Sequence, residues 1–175
     1  FRSNGKQLAW MPWSRGFDEA YVANLYHYHN NTMHYGTSNE LETPSEERVR
    51  TLSPYSYTSG KVVEKSGWTT ETLTDQAINF IRESQNSGEP FFCYLAHLAP
   101  HGGWRAPETY VEKYKRKGLS ESFATLYGLI EHTDTNIGRL LDSLDRMGLS
   151  ENTIVIFLSD NGPIARPGRK DLRFL

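Results

Sequence analysis

Cysteine is almost absent from this sequence: Cys93 is the only one in 175 residues. An internal disulfide is excluded, and nothing supports a cysteine-based zinc site. Cys93 lies within Phe91-Phe92-Cys93-Tyr94-Leu95, where a thiol reads as a small buried hydrophobe rather than a nucleophile. No apolar run approaches the length of a membrane span. The opening residues Phe1 to Lys6 are polar and basic, and no apolar segment follows, so no signal peptide is legible. Without an initiator methionine, the sequence is expected to begin downstream of the true N-terminus. Neither sign of charge is in excess, with 19 Lys and Arg against 21 Asp and Glu and a net charge of -2. That leaves no electrostatic footprint for nucleic acid. The longest basic cluster, Lys113 to Lys117, is broken by Tyr114 and reads as a solvated helix end. Internal repeats and low-complexity tracts are also missing.

What is present reads as one α/β unit. Residues 1 to about 60 are rich in Tyr, His, Asn and Ser and suggest loops with short strands or turns. Arg15-Gly16-Phe17-Asp18 places a glycine turn before an aromatic. Asn30-Asn31-Thr32 is a glycosylation sequon of a kind that often arises by chance. A helix is expected from about Thr70 to Ser84, capped by Thr72 or Thr74, with Ala77, Ile78, Phe80 and Ile81 as its apolar stripe. Asn86 to Pro90 stops it. Phe91 to Ala96 then suits a buried parallel strand. Two prolines and two glycines make Ala99 to Pro107 a loop. Further helices are expected over Pro107 to Lys117 and over Ser120 to Met147, the second ending at Gly148. Asn152 to Ser159, with Thr-Ile-Val-Ile-Phe-Leu inside it, reads as a second buried strand. The order strand, loop, helix, strand predicts a mainly parallel sheet flanked by helices.

In such sheets ligands bind beyond the carboxyl ends of the strands. Two polar clusters occupy those places. Asp160 and Asn161 offer side-chain oxygens, which suit Ca²⁺ or Mg²⁺, and Gly162 permits a sharp turn. A plain Asp-Asn-Gly turn accounts for the same three residues. His101, after Ala99-Pro100, suits a general acid or an anion contact, or an ordinary loop histidine. His97 is the weaker candidate. His27, His29 and His34 have metal-like spacing but fit a polar surface loop better.

The runs Gly88 to Ala96, Ala99-Pro100-His101 with Ala106-Pro107, and Ile137-Gly138-Arg139-Leu140-Leu141 through Ser159-Asp160-Asn161-Gly162 resemble the sulfatase family. Arg15 to Asp18 and the helix around Leu73 to Ile81 fit as well, so the resemblance runs from about residue 5 to 162 in order and at family-like spacing. It implies an alkaline-phosphatase-like α/β fold and hydrolysis of a sulfate ester, with residues 1–175 forming a single partial catalytic domain. It further implies a formylglycine nucleophile and a divalent cation, usually Ca²⁺, with Mg²⁺ as the alternative. By position, Asp160 and Asn161 would be metal ligands, and His101 would contact the sulfate and protonate the leaving oxygen. Lys6, Trp104 and Arg105 would contact substrate. The implied partner is a sulfated small molecule or carbohydrate, and the implied setting is secreted, periplasmic or lysosomal.

The sequence departs from the family pattern at two places. It has no Cys/Ser-x-Pro-x-Arg motif to supply the nucleophile, which is therefore expected outside this chain together with further metal ligands. Leu8 stands where a histidine would follow the Gly5-Lys6 motif. Leu172-Arg173-Phe174-Leu175 resembles the start of a Leu-Arg-x-x-Lys-Gly segment whose lysine would come next. Two other readings follow. One is a phosphodiesterase or phosphonate hydrolase of the same superfamily; the other is an inactive anion-binding or scaffold relative.

Overall fold

The computed structural model describes residue 12 and residues 15–23, 28–37 and 61–162. Within them the chain runs β1 (Glu19–Ala23), β2 (His29–Thr37), β3 (Lys61–Trp68), α1 (Thr69–Ser87), α2 (Glu108–Lys115) and α3 (Glu121–Arg146), then a short 3-10 turn at Ser150–Asn152.

The helices form where apolar spacing placed them, and each boundary has a local cause. The first starts one residue earlier than expected. Trp68 occupies the N-cap, and neither threonine caps. Thr72 and Thr74 instead donate their hydroxyls back to the carbonyls of Trp68 and Thr70, as threonines inside a helix do. Gly88 ends α1 in the left-handed conformation, φ 71°. Gly148 closes α3 in the same way: its N–H bonds to the Asp145 carbonyl, and that of Leu149 to Leu144.

The core lies between the helices. α1 buries Thr74, Ala77, Ile78 and Ile81. α3 buries Ala124, Gly128, Leu129, His132, Asn136 and Leu144 along one stripe. α2 adds Val111. Gly128 lets α2 and α3 approach closely, since a Cβ there would lie 3.1 Å from the Val111 nitrogen. Cross-links between helices are polar and peripheral. Arg139 reaches Asp75 from α3 to α1, and Lys113 pairs with Glu131 from α2 to α3.

The sheet corrects one expectation. Among the described residues it is antiparallel, in the order β1-β2-β3. It comes from the region read as loops and short strands. β3 carries one extra residue where His29 pairs with Trp68 and Asn31 with Lys65. Gly67, at φ 91°, supplies the left-handed backbone that such a bulge uses.

Neither expected parallel strand is hydrogen-bonded into a sheet. Residues 91–97 alternate in burial, as a strand would. Phe91, Cys93, Leu95 and His97 turn inward, and Phe80 meets the Phe91 ring at 6.4 Å. Phe92 and Tyr94 face outward at 74% and 69% exposure. Residues 154–158 are uncovered on both sides, with Ile154 at 90% and Phe157 at 83% exposure. Alternation and β-branching are local properties. Burial and a hydrogen-bonded ladder need neighbouring strands, which the described residues do not supply. No ladder pairs either run among the described residues, while residues 91–97 keep the burial alternation of a strand.

Candidate active site

His101 stands on an exposed turn directly after the run 91–98. The turn is closed by the His101 N–H bonding to the Leu98 carbonyl at 2.9 Å, and it contains a cis Ala99–Pro100 peptide. On one side the Trp104 indole N–H donates to the Pro100 carbonyl at 3.0 Å. On the other, the Tyr28 hydroxyl donates to the His101 carbonyl at 2.6 Å. The backbone carrying His101 is thus fastened from two directions while its imidazole faces solvent, with Nδ1 3.3 Å from the Gly102 carbonyl.

The Trp104 indole N–H is thus bonded within its own loop. Arg105 is exposed beside it. Lys6 lies outside the described residues, as does His27.

Asp160 and Asn161 follow the apolar run 154–158 and are exposed. The Ser159 hydroxyl donates to the Asn161 carbonyl at 2.8 Å, and the Asn161 amide to the Gly162 carbonyl at 2.9 Å. Asp160 makes no salt bridge among the described residues. Both side chains keep an oxygen for a cation, so the donor chemistry fits a hard divalent ion. Two donors are only part of the six to eight oxygens that Ca²⁺ takes. Among the described residues no group of three or more His, Cys, Asp or Glu side chains forms a metal site. None of the bonds named here joins His101 to the Asp160-Asn161 pair.

Behind the His101 loop lies a buried aromatic and imidazole cluster that the sequence did not reveal. His132, 1% exposed, places Nε2 3.0 Å from a Glu71 carboxylate oxygen. Its ring packs against Trp68 at 5.6 Å and Tyr110 at 5.3 Å. The exposed His29 meets the Trp68 ring at 4.9 Å. His97 points into the interior with both ring nitrogens buried and without a hydrogen-bond partner. Burial, assisted by the nearby His132, lowers its pKa to about 4. His97 is therefore a neutral interior side chain. The half-buried Cys93 thiol is likewise pushed up by burial, which agrees with an unreactive role.

With this arrangement in view, comparison with known proteins decides the family. The sulfatase family profile matches residues 4–174. The chain belongs to the sulfatase family. It is 31% identical to the uncharacterized sulfatase YdeN of Escherichia coli over 114 residues, 64% of this chain and 20% of that protein. It is 34% identical to the N-acetylgalactosamine-6-sulfatase of Mus musculus over 94 residues, 53% of this chain and 16% of that protein. A crystal structure of Ps i-CgsB in complex with k-i-k-neocarrahexaose superposes with a TM-score of 0.60 at 22% identity, covering 82% of this chain and 32% of that one. The last likeness shows a shared fold. This sulfatase-family chain thus spans about a fifth of the curated relatives' length and a third of the solved structure's. No described helix is long and apolar enough to cross a membrane.

Proposed function

We propose that this chain is the middle part of a sulfuric ester hydrolase acting on a sulfated carbohydrate or another sulfated small molecule. The observation that carries the reading is an exposed imidazole on a doubly braced turn, inside a chain of the sulfatase family. Such a histidine is fixed in place yet open to a ligand, as a general acid must be. In this reading His101 contacts the sulfate and gives its proton to the departing oxygen. Arg105, exposed on the same loop, meets the substrate's anionic groups. The formylglycine nucleophile would come from elsewhere in the enzyme, because the 175 residues contain no Cys/Ser-x-Pro-x-Arg motif.

Asp160 and Asn161 would hold the divalent cation, Ca²⁺ or Mg²⁺, which when bound supplies positive charge against the sulfate oxygens. They are two of its ligands in this proposal, and the remaining ligands lie outside the chain. The carbohydrate preference is supported by two relatives. One is named for N-acetylgalactosamine-6-sulfate chemistry, and the other was crystallised with a neocarrahexaose.

Replacing His101 by Ala in the enzyme that carries this segment is expected to lower sulfate release by about 10²- to 10⁴-fold, the usual contribution of a positioned acid. Unchanged turnover would remove His101 from the chemistry. The missing nucleophile motif also favours a second reading, an inactive anion-binding relative. Sulfate release by the intact protein would eliminate it.

A further inference from the structure

We propose that Tyr28 is a positioning residue for His101, its buried hydroxyl fixing the turn that aims the imidazole at the leaving oxygen. The inference rests on the sulfatase reading of His101 given above. Its basis is a contact between residues 73 positions apart in the chain. Tyr28 is 2% exposed, among the most buried large side chains described. Its hydroxyl donates to the His101 carbonyl at 2.6 Å and lies 3.4 Å from the Leu98 carbonyl. Those two carbonyls mark the ends of the turn. Its own carbonyl accepts the Thr69 N–H at 2.9 Å, which anchors Tyr28 to the start of α1.

The packing alone would be served by phenylalanine. Burying a hydroxyl is unfavourable unless it is hydrogen-bonded, and here both acceptors belong to the histidine turn. Pro100, His101, Gly102 and Gly103 are exposed on this turn, where the Trp104 indole and the His101 N–H make the other bonds already described. The hydroxyl also remains a donor across the working pH range, because burial pushes its pKa up to about 12. Loss of this one bond frees the turn on the side opposite the Trp104 brace. A small displacement of a general acid is enough to slow proton transfer.

The test is Tyr28→Phe in the intact enzyme, assayed with two sulfate esters. One is an activated nitrophenyl sulfate, whose leaving group needs little protonation. The other is an alkyl or sugar sulfate, whose leaving group needs much. The expected result is a fall in kcat of about tenfold on the poor leaving group, with the nitrophenyl ester within about twofold and KM unchanged. His101→Ala should show the same selectivity more strongly. An equal loss on both esters, or none on either, would overturn the proposal, since a purely structural defect has no leaving-group preference. If His101→Ala itself shows no such preference, the reading of His101 fails, and the role of Tyr28 falls with it. A second readout does not depend on turnover. Amide exchange at His101, whose N–H bonds to Leu98, should speed up by about tenfold or more in Tyr28→Phe while amides inside α3 stay protected. Unchanged exchange at His101 would equally overturn the proposal.

Discussion

At His97 the cost of burying an imidazole has a direct consequence for pH. The folded-state pKa is about 4, against an ordinary value of 6.5. Between these values the unfolded chain binds the proton and the folded chain does not. Stability is therefore expected to fall as pH drops from about 6.5 toward 4, by roughly 2–3 kcal/mol over the window. Urea unfolding of wild type and His97→Leu at pH 7 and pH 4.5 measures this. The variant should show a visibly shallower loss on acidification, and parallel losses would mean that other groups carry the acid sensitivity. The sequence ranked His97 below His101 by its place nearer the strand end, but did not show that its ring is interior. Both are loop or strand-end histidines four residues apart, and only the inward and outward alternation of residues 91–97 distinguishes an interior ring from an exposed one. Tyr28 was equally hidden. Nothing in a stretch dense with tyrosine and histidine marks the one hydroxyl that reaches across 73 residues.

Among the elements, helices were legible and strands only in part. The stripe Ala77, Ile78, Ile81 and the stop at Gly88 depend on spacing and backbone freedom within the helix itself, and α1, α2 and α3 lie within a few residues of their expected places. The antiparallel sheet was not foreseen. β2, for example, reads His-Asn-Asn-Thr-Met-His-Tyr-Gly-Thr and carries no apolar alternation. Its register is set by partners distant in sequence. Gly128 shows the limit for helices too. The sequence shows a glycine inside a long helix, a mild defect on propensity alone. The structure gives its reason, because a Cβ there would lie 3.1 Å from the α2 backbone, tighter than ordinary contact. Gly128→Val is therefore expected to cost roughly 1–3 kcal/mol through overpacking. A thermal melt unchanged from wild type would show that α2 moves aside freely.

The whole molecule presents an unusual surface. Residues 154–158 form five consecutive exposed apolar side chains, and Phe92 and Tyr94 are exposed in the run 91–98. Uncovered apolar surface promotes association. The 175-residue chain on its own should bind a hydrophobic dye and grow in apparent size with concentration. Phe157→Lys with Ile156→Lys should reduce both effects, as scattering and dye fluorescence would report. A monodisperse wild-type chain without dye binding would mean that these residues find cover. The candidate site was legible from sequence at this scale as two polar clusters following two strand-like runs. Its completeness was not legible, because a metal site and a nucleophile are assembled from segments far apart in a chain.

The central claim, that this sulfatase-family chain contributes both an acid and metal ligands to sulfate ester hydrolysis, is tested most directly by one assay. Sulfate release from an aryl sulfate is measured for the intact enzyme containing this segment, as wild type and as Asp160→Ala, with Ca²⁺ present. The predicted result is release by the wild type and a loss of about 10²-fold or more in the variant. Equal rates for the two proteins would contradict the assignment of Asp160. A wild type that cleaves a phosphate diester but no sulfate ester would contradict the proposed function itself.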